Sequence, residues 1–258
     1  MKAEKFRGVI IMNSTARHDF KIIGENSTGG GYFNNARVIG NGIVKGDMDC
    51  VNFKSVGDSK VNGNLKAANL RVVGSISITG TSKSDTAVIT GNLDASGDVQ
   101  SHKIVLRGGI TTGGNVKGDD VKLKGYVTIK KNCETEIFRA DGQLTIEGLL
   151  NADEVTIRTY GRSRVAEIGG NKITIRKGSK SSVTQMVKFL FMPSNFDNGT
   201  LQADSIEGDE IRLAGTKAKV VRGKNIIIND GCELDLVEYK ENLRIQGRST
   251  IKEKRKIL

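Results

Sequence analysis

The 258-residue chain has one proline, no tryptophan, three cysteines and two histidines, and aromatic residues make up 5% of it. Three cysteines cannot staple a chain of this length, and an odd, sparse count suits a reducing compartment. With so little proline and no G-X-Y period, the 32 glycines do not make a collagen. Long hydrophobic runs are missing too. The longest unbroken ones span residues 9–12 and 189–192. A membrane-crossing helix needs ~20 apolar residues and a signal-peptide core about 7–15, so a cytoplasmic protein is expected. Apolar residues at 37%, regularly spaced, exclude a disordered chain.

What is present is a repeat. Gly40, Gly57, Gly74, Gly91, Gly108, Gly125 and Gly142 recur at every seventeenth position. A second series runs Gly46, Gly63, Gly80, Gly97, Gly114 and Gly148, broken once by Lys131. Between the glycines, small or apolar residues come in pairs spaced by two, as in Ile104 and Leu106, Ile110 and Thr112, Val116 and Gly118. Over seven repeats from Ala36, apolar residues fill 33 of the 42 paired positions but only 3 of the 21 between them. Alternation of this kind marks strands with one face buried. Three pairs in every repeat predict an all-β, three-sided parallel β-helix, each turn stacking on the last. Glycine would supply the positive φ of the corners. The Asn and Asp residues that follow, such as Asn41, Asp58, Asn64 and Asp98, read as turn residues that adopt the left-handed conformation and bond locally. Propeller blades and leucine-rich repeats have longer periods, and helical solenoids need a period of 3.6.

This pattern divides the chain into an N-terminal tail (1–19), a strict β-helix (20–178), an interruption (179–200), further turns (201–251) and a basic C-terminal tail (252–258). Roughly eleven turns at ~4.8 Å make a rod ~50 Å long. The interruption holds Pro193 and the densest aromatic patch, with Phe189, Leu190, Phe191 and Phe196. Those four are the candidates for capping the solenoid or for self-association, because dense exposed apolar side chains are otherwise an aggregation hazard.

The units Ile43-Val-Lys-Gly-Asp-Met-Asp-Cys50, Val61-Asn-Gly-Asn-Leu-Lys-Ala67 and Ile89-Thr-Gly-Asn-Leu-Asp-Ala95 resemble the bactofilin family of bacterial polymer-forming cytoskeletal proteins. The resemblance covers about Phe20 to Ile175; the stretch from Ser205 to Tyr239 is similar to longer Gram-positive members. It implies a right-handed β-helix that forms homopolymers without nucleotide. It also implies roles in cell shape, motility or organisation of the envelope, at the inner face of the membrane or with envelope proteins. The extra C-terminal turns and the interruption depart from the short members.

Signals for an enzyme are few. Acyltransferases of the hexapeptide type share the three-sided architecture but use a histidine between coils. Here His102 falls at a corner and reads as solvated, with no outward carboxylate column to orient it. Cys50, Cys133 and Cys232 fall in inward columns, where cysteine acts as a small hydrophobe. No metal spacing and no phosphate-binding glycine loop occurs, so no metal, cofactor or catalytic residue is assigned. The remaining signal is charge, formally +11 overall. Arg158, Arg162, Arg164, Arg176 and Lys177 sit in a stretch with Glu167 as its one acid, and Arg37, Lys54, Arg71, Lys122 and Arg139 share one outward column. Both read as a solvated face or as candidates for an anionic surface. With Tyr160 the one aromatic residue in that stretch, base stacking by nucleic acid is not favoured.

Overall fold

The computed structural model describes residues 17–178 and 199–258. All regular structure among them is strand, in one parallel sheet wound as a β-solenoid. Its strands are β1 (His18–Val61), β2 (Leu65–Ile78), β3 (Ser82–Ala95), β4 (Val99–Thr112), β5 (Val116–Lys117) and β6 (Asp120–Ile129). They continue with β7 (Cys133–Thr159), β8 (Ser163–Lys177), β9 (Leu201–Leu213), β10 (Thr216–Ile228), β11 (Glu233–Ile245) and β12 (Thr250–Lys256). Most of these strands bend around corners, so one strand supplies several short sides of a turn.

The repeat period is the stacking register itself. Leu70 pairs with Ala87, Ala87 with Ile104, and Ile104 with Val121. Residues of one column therefore lie a strand spacing apart, ~4.8 Å. The inward columns form one continuous core from Ile22 to Val237, with Phe53 and Phe138 its largest fully buried side chains. Each buried Val, Leu or Ile contributes about 1.5–3 kcal/mol of transfer free energy, which suffices for a narrow core that runs unbroken. Two of the buried hydroxyl sites are paired within the core, Ser55 with Ser59 and Thr112 donating to the Gly97 carbonyl at 2.6 Å, whereas the buried Thr159 Oγ1 has no partner among the described residues.

The two glycine series do different work. Gly74, Gly91 and Gly108 have φ of 120°, 129° and 136°, as the corner reading requires. In the second series Gly63, Gly80, Gly97, Gly114 and Gly148 have no positive φ but no room either. A Cβ on Gly114 would meet the Asp98 carboxylate and lie 2.6 Å from the Asp98 nitrogen. The expectation for the Asn and Asp residues is corrected. No non-glycine residue described has a positive φ. After the second glycine series their side chains bond to the next turn instead of locally. Asp47 accepts the Asn64 backbone N–H at 2.7 Å, Asn64 that of Thr81 at 2.9 Å, and Asp98 that of Asn115 at 2.7 Å. In a parallel stack the amide one turn on is the nearer donor.

The period drifts toward the C-terminus. Val155 pairs with Ile173, a step one longer than the repeat; Ile211 pairs with Ile226, a step two shorter; and Leu234 with Ile251 restores it. Across the interruption Ile173 pairs directly with Ile211 and Ile175 with Leu213, so β8 and β9 stack as neighbouring turns. The segment expected as a basic tail instead continues in strand to Lys256, paired with β11. Among the described residues no helix is long and apolar enough to cross a membrane.

Candidate functional site

The solenoid offers three sides and two ends. One side is mixed in charge and largely self-neutralised, because opposite charges fall in one column a turn apart. Lys117 pairs with Glu134 at 3.1 Å, Arg222 with Glu207 at 2.8 Å, and Lys224 with Asp209 at 3.1 Å. Its inward column shrinks to Gly118, Gly170, Gly208 and Gly223, leaving a groove of about 750 Å³ bordered by Asp119, Glu136, Asp153 and Asp209. Among the described residues no group of three His, Cys, Asp or Glu side chains has the arrangement of a metal site.

His102 needs a correction. Its Nδ1 lies 2.8 Å from the Asp119 carboxylate, one turn on in the same outward column. Their separation by one full repeat was the signal for this pair. Both side chains are largely exposed, which makes them a surface pair by geometry. The three cysteines are buried as expected; burial pushes the thiols of Cys50 and Cys133 up to about 12.

The basic residues singled out from the sequence do not form one patch. Arg158 and Arg176 stack in one outward column, with Asp141 3.9 Å from Arg158. Arg164 lies on another side, 3.2 Å from Asp204, which Lys219 also binds at 2.7 Å. Lys177 folds along a corner beneath Gly215 and Gly231. Arg162 is exposed at the turn preceding β8. Phe189, Leu190, Phe191 and Phe196 lie outside the described residues.

The ends differ. At the N-terminal end Phe33 is buried, with the rings of His18 and Phe20 at 4.9 Å and 5.3 Å. Arg17 spans the end, donating to the Phe33 carbonyl at 3.0 Å and to the Asp49 carboxylate at 2.7 Å. Burial opposes ionisation of Asp49, but Arg17 and Lys66 outweigh it and hold its pKa below the usual carboxylate range. At the C-terminal end the described residues leave the core columns partly open. Leu243 and Ile251 are half-buried, Ile245 is 41% exposed, and β12 pairs with β11 alone among the described strands. Lys254 and Lys256 there stack on inward Val237 and Tyr239. Charges at core-facing positions of an edge strand are a known guard against indiscriminate pairing.

No family model matches the chain, and no solved structure matches it. It is similar to two curated proteins of Bacillus subtilis (strain 168). "Uncharacterized protein YhbF" is 39% identical over 111 residues, 43% of this chain and 42% of that protein. "Uncharacterized protein YhbE" is 41% identical over 97 residues, 36% of this chain and 37% of that protein. The chain thus spans about two fifths of the length of the curated relatives it matches.

Proposed function

We propose that this chain is a bactofilin-like structural subunit. It self-assembles end to end, without nucleotide, into a cytoplasmic scaffold that serves cell shape, motility or envelope organisation. The observation that carries the reading is the partly open C-terminal turn. Leu243, Ile245 and Ile251 continue the core columns to an edge strand whose outer backbone groups have no partner among the described strands. Apolar surface continuous with a core, next to a free strand edge, is a surface for another chain. Lys254 and Lys256 beside it restrict the partner to one that leaves room for their charges, which favours a defined contact over unlimited sheet growth.

The test is sedimentation and negative-stain microscopy of the purified chain across concentration, beside the double variant Ile245→Lys with Ile251→Lys. Wild type is expected to form filaments or large assemblies in the absence of nucleotide. The variant is expected to remain monomeric, with a far-UV spectrum like that of wild type. A wild-type chain that stays monomeric at high concentration refutes the reading. So does a variant that assembles as well as wild type.

A further inference from the structure

One side of the rod stacks cations beside exposed aliphatic side chains. It carries the outward column Arg37, Lys54, Arg71, and beyond two valines Lys122 and Arg139. Lys54 pairs in register with Arg71, so the cations stand a strand spacing apart. In other columns many stacked charges pair with the opposite sign across turns, as Lys117 does with Glu134 and Lys224 with Asp209, although Lys66 and Lys83 also stand in register. Here Arg139 meets Asp120 at 2.8 Å, but among the described residues Arg37, Lys54, Arg71 and Lys122 have no carboxylate within ion-pair distance. In the neighbouring column of the same side, two residues along each strand, stand Val56 and Val73, again in register. Gly24, Gly40 and Gly57 stack on one another, which places Ile23 and Ile39 in that column on the two preceding turns. Ile23 is 65% exposed, Val56 40% and Val73 49%. The first turns of the rod therefore present a row of aliphatic side chains running beside a row of uncompensated cations. The Val56–Val73 column continues toward the C-terminus through Thr90, Arg107, Lys124, Asp141, Arg158 and Arg176, with Asp141 as its one carboxylate, 3.9 Å from Arg158.

We propose that this side docks on an anionic lipid bilayer, with Ile23, Ile39, Val56 and Val73 entering the headgroup boundary while Arg37, Lys54 and Arg71 bind the lipid anions. Three features select that partner. A row of like charges with few carboxylates among them is complemented by a surface of opposite charge. The adjacent row is aliphatic, which suits the acyl boundary; single-stranded nucleic acid would call for aromatic platforms, which the two columns lack, and a duplex backbone would leave the aliphatic row without a partner. And the side is the outer face of a parallel sheet, which repeats the same two columns on successive turns.

The experiment is flotation of the full-length purified chain with vesicles of phosphatidylcholine alone or with 30 mol% phosphatidylglycerol. Flotation keeps lipid binding separate from self-assembly, because polymers alone sink. Wild type is expected to float with the anionic vesicles only and to be released by raising the salt. A cation near an anionic membrane is worth about fivefold in affinity, so Arg37→Gln with Lys54→Gln and Arg71→Gln should weaken binding on the order of 100-fold. Val56→Ser with Val73→Ser should also weaken it, and binding of the wild type should raise the accessible lipid area of a monolayer while binding of this variant raises it less. Both sets of side chains are exposed, so circular dichroism and melting should match wild type. The proposal is overturned by failure of wild type to float, by equal flotation with neutral vesicles, or by triple-variant binding equal to that of wild type. Capture of a duplex oligonucleotide in preference to the anionic vesicles would also overturn it. The assembly-blocked variant Ile245→Lys with Ile251→Lys is expected to float as well, so a failed polymer reading leaves this result standing by itself.

Discussion

Replacing Gly91 with alanine separates two reasons a corner needs glycine. Gly91 has φ of +129°, and a Cβ there would run into the Gly74 carbonyl oxygen and lie 2.8 Å from its carbon. Neither contact can be relieved by turning a side chain, because the atoms belong to the backbone of the preceding turn. Holding a non-glycine residue at such a φ costs about 1–3 kcal/mol. Moving the turn aside strains ladder hydrogen bonds worth about 0.5–1.5 kcal/mol each. With two such bonds affected, Gly91→Ala should cost about 2–6 kcal/mol. At about 2–4 °C per kcal/mol for a chain near this size, melting should fall by about 4–24 °C. The protein carries its own controls. Gly24 has φ of +81° but nothing within 4 Å of a Cβ, so Gly24→Ala should show the dihedral cost alone. Gly114 lacks the positive φ but has the clash, and Gly29 has neither, so Gly29→Ala should be neutral or slightly stabilising. Thermal and urea unfolding of the four variants, followed by circular dichroism on dilute protein, gives the series. Gly91→Ala melting within about 2 °C of wild type, or no lower than Gly29→Ala, would refute the reasoning.

The native thiols should resist Ellman's reagent at pH 8, since burial pushes Cys50 and Cys133 up to about 12, and should react once the chain is unfolded in urea; rapid labelling of the folded chain would contradict the packing. The Asn64 backbone N–H, and then its side-chain amide, hold Asp47 below the usual carboxylate pKa. A depressed folded pKa stabilises above the unfolded value, about 3.9, and that stabilisation is lost as pH falls through the folded pKa. Melting curves from pH 6 to pH 2 should therefore fall less steeply for Asp47→Asn than for wild type. Ile173 pairs directly with Ile211, so excising 179–198 would leave these two at the same spacing along the chain as Val155 and Ile173 one turn earlier. The shortened chain should keep its β spectrum and melt within a few degrees of wild type; a chain that cannot fold would show the excised segment to be part of the solenoid.

The reach of the sequence follows from how a solenoid is built. A stack repeats its contacts at one fixed separation, so Leu70, Ala87 and Ile104 announce their contact by spacing alone. The core columns, the glycine corners and the Arg37–Lys54–Arg71 row were all legible for that reason. His102 and Asp119 obey the same spacing, and their pairing was legible in principle though polar residues draw less notice than apolar ones. Other features depend on where the period shifts or on what solvent reaches. Phe33 becomes a buried lid because His18 and Phe20 fold against it, a contact no column of the strict repeat contains. The basic stretch from Arg158 to Lys177 is one cluster in sequence but is divided among sides by the corners it crosses, with Arg164 turned to Asp204 and Arg158 to Asp141. Ile23, Val56 and Val73 look like ordinary strand residues; only their position just before stacked glycines, on the outer surface, leaves them in solvent beside the cations. Spacing along the chain determined which residues stack, while the direction of each side chain at a corner, and the partner it finds across it, were decided by the three-dimensional path.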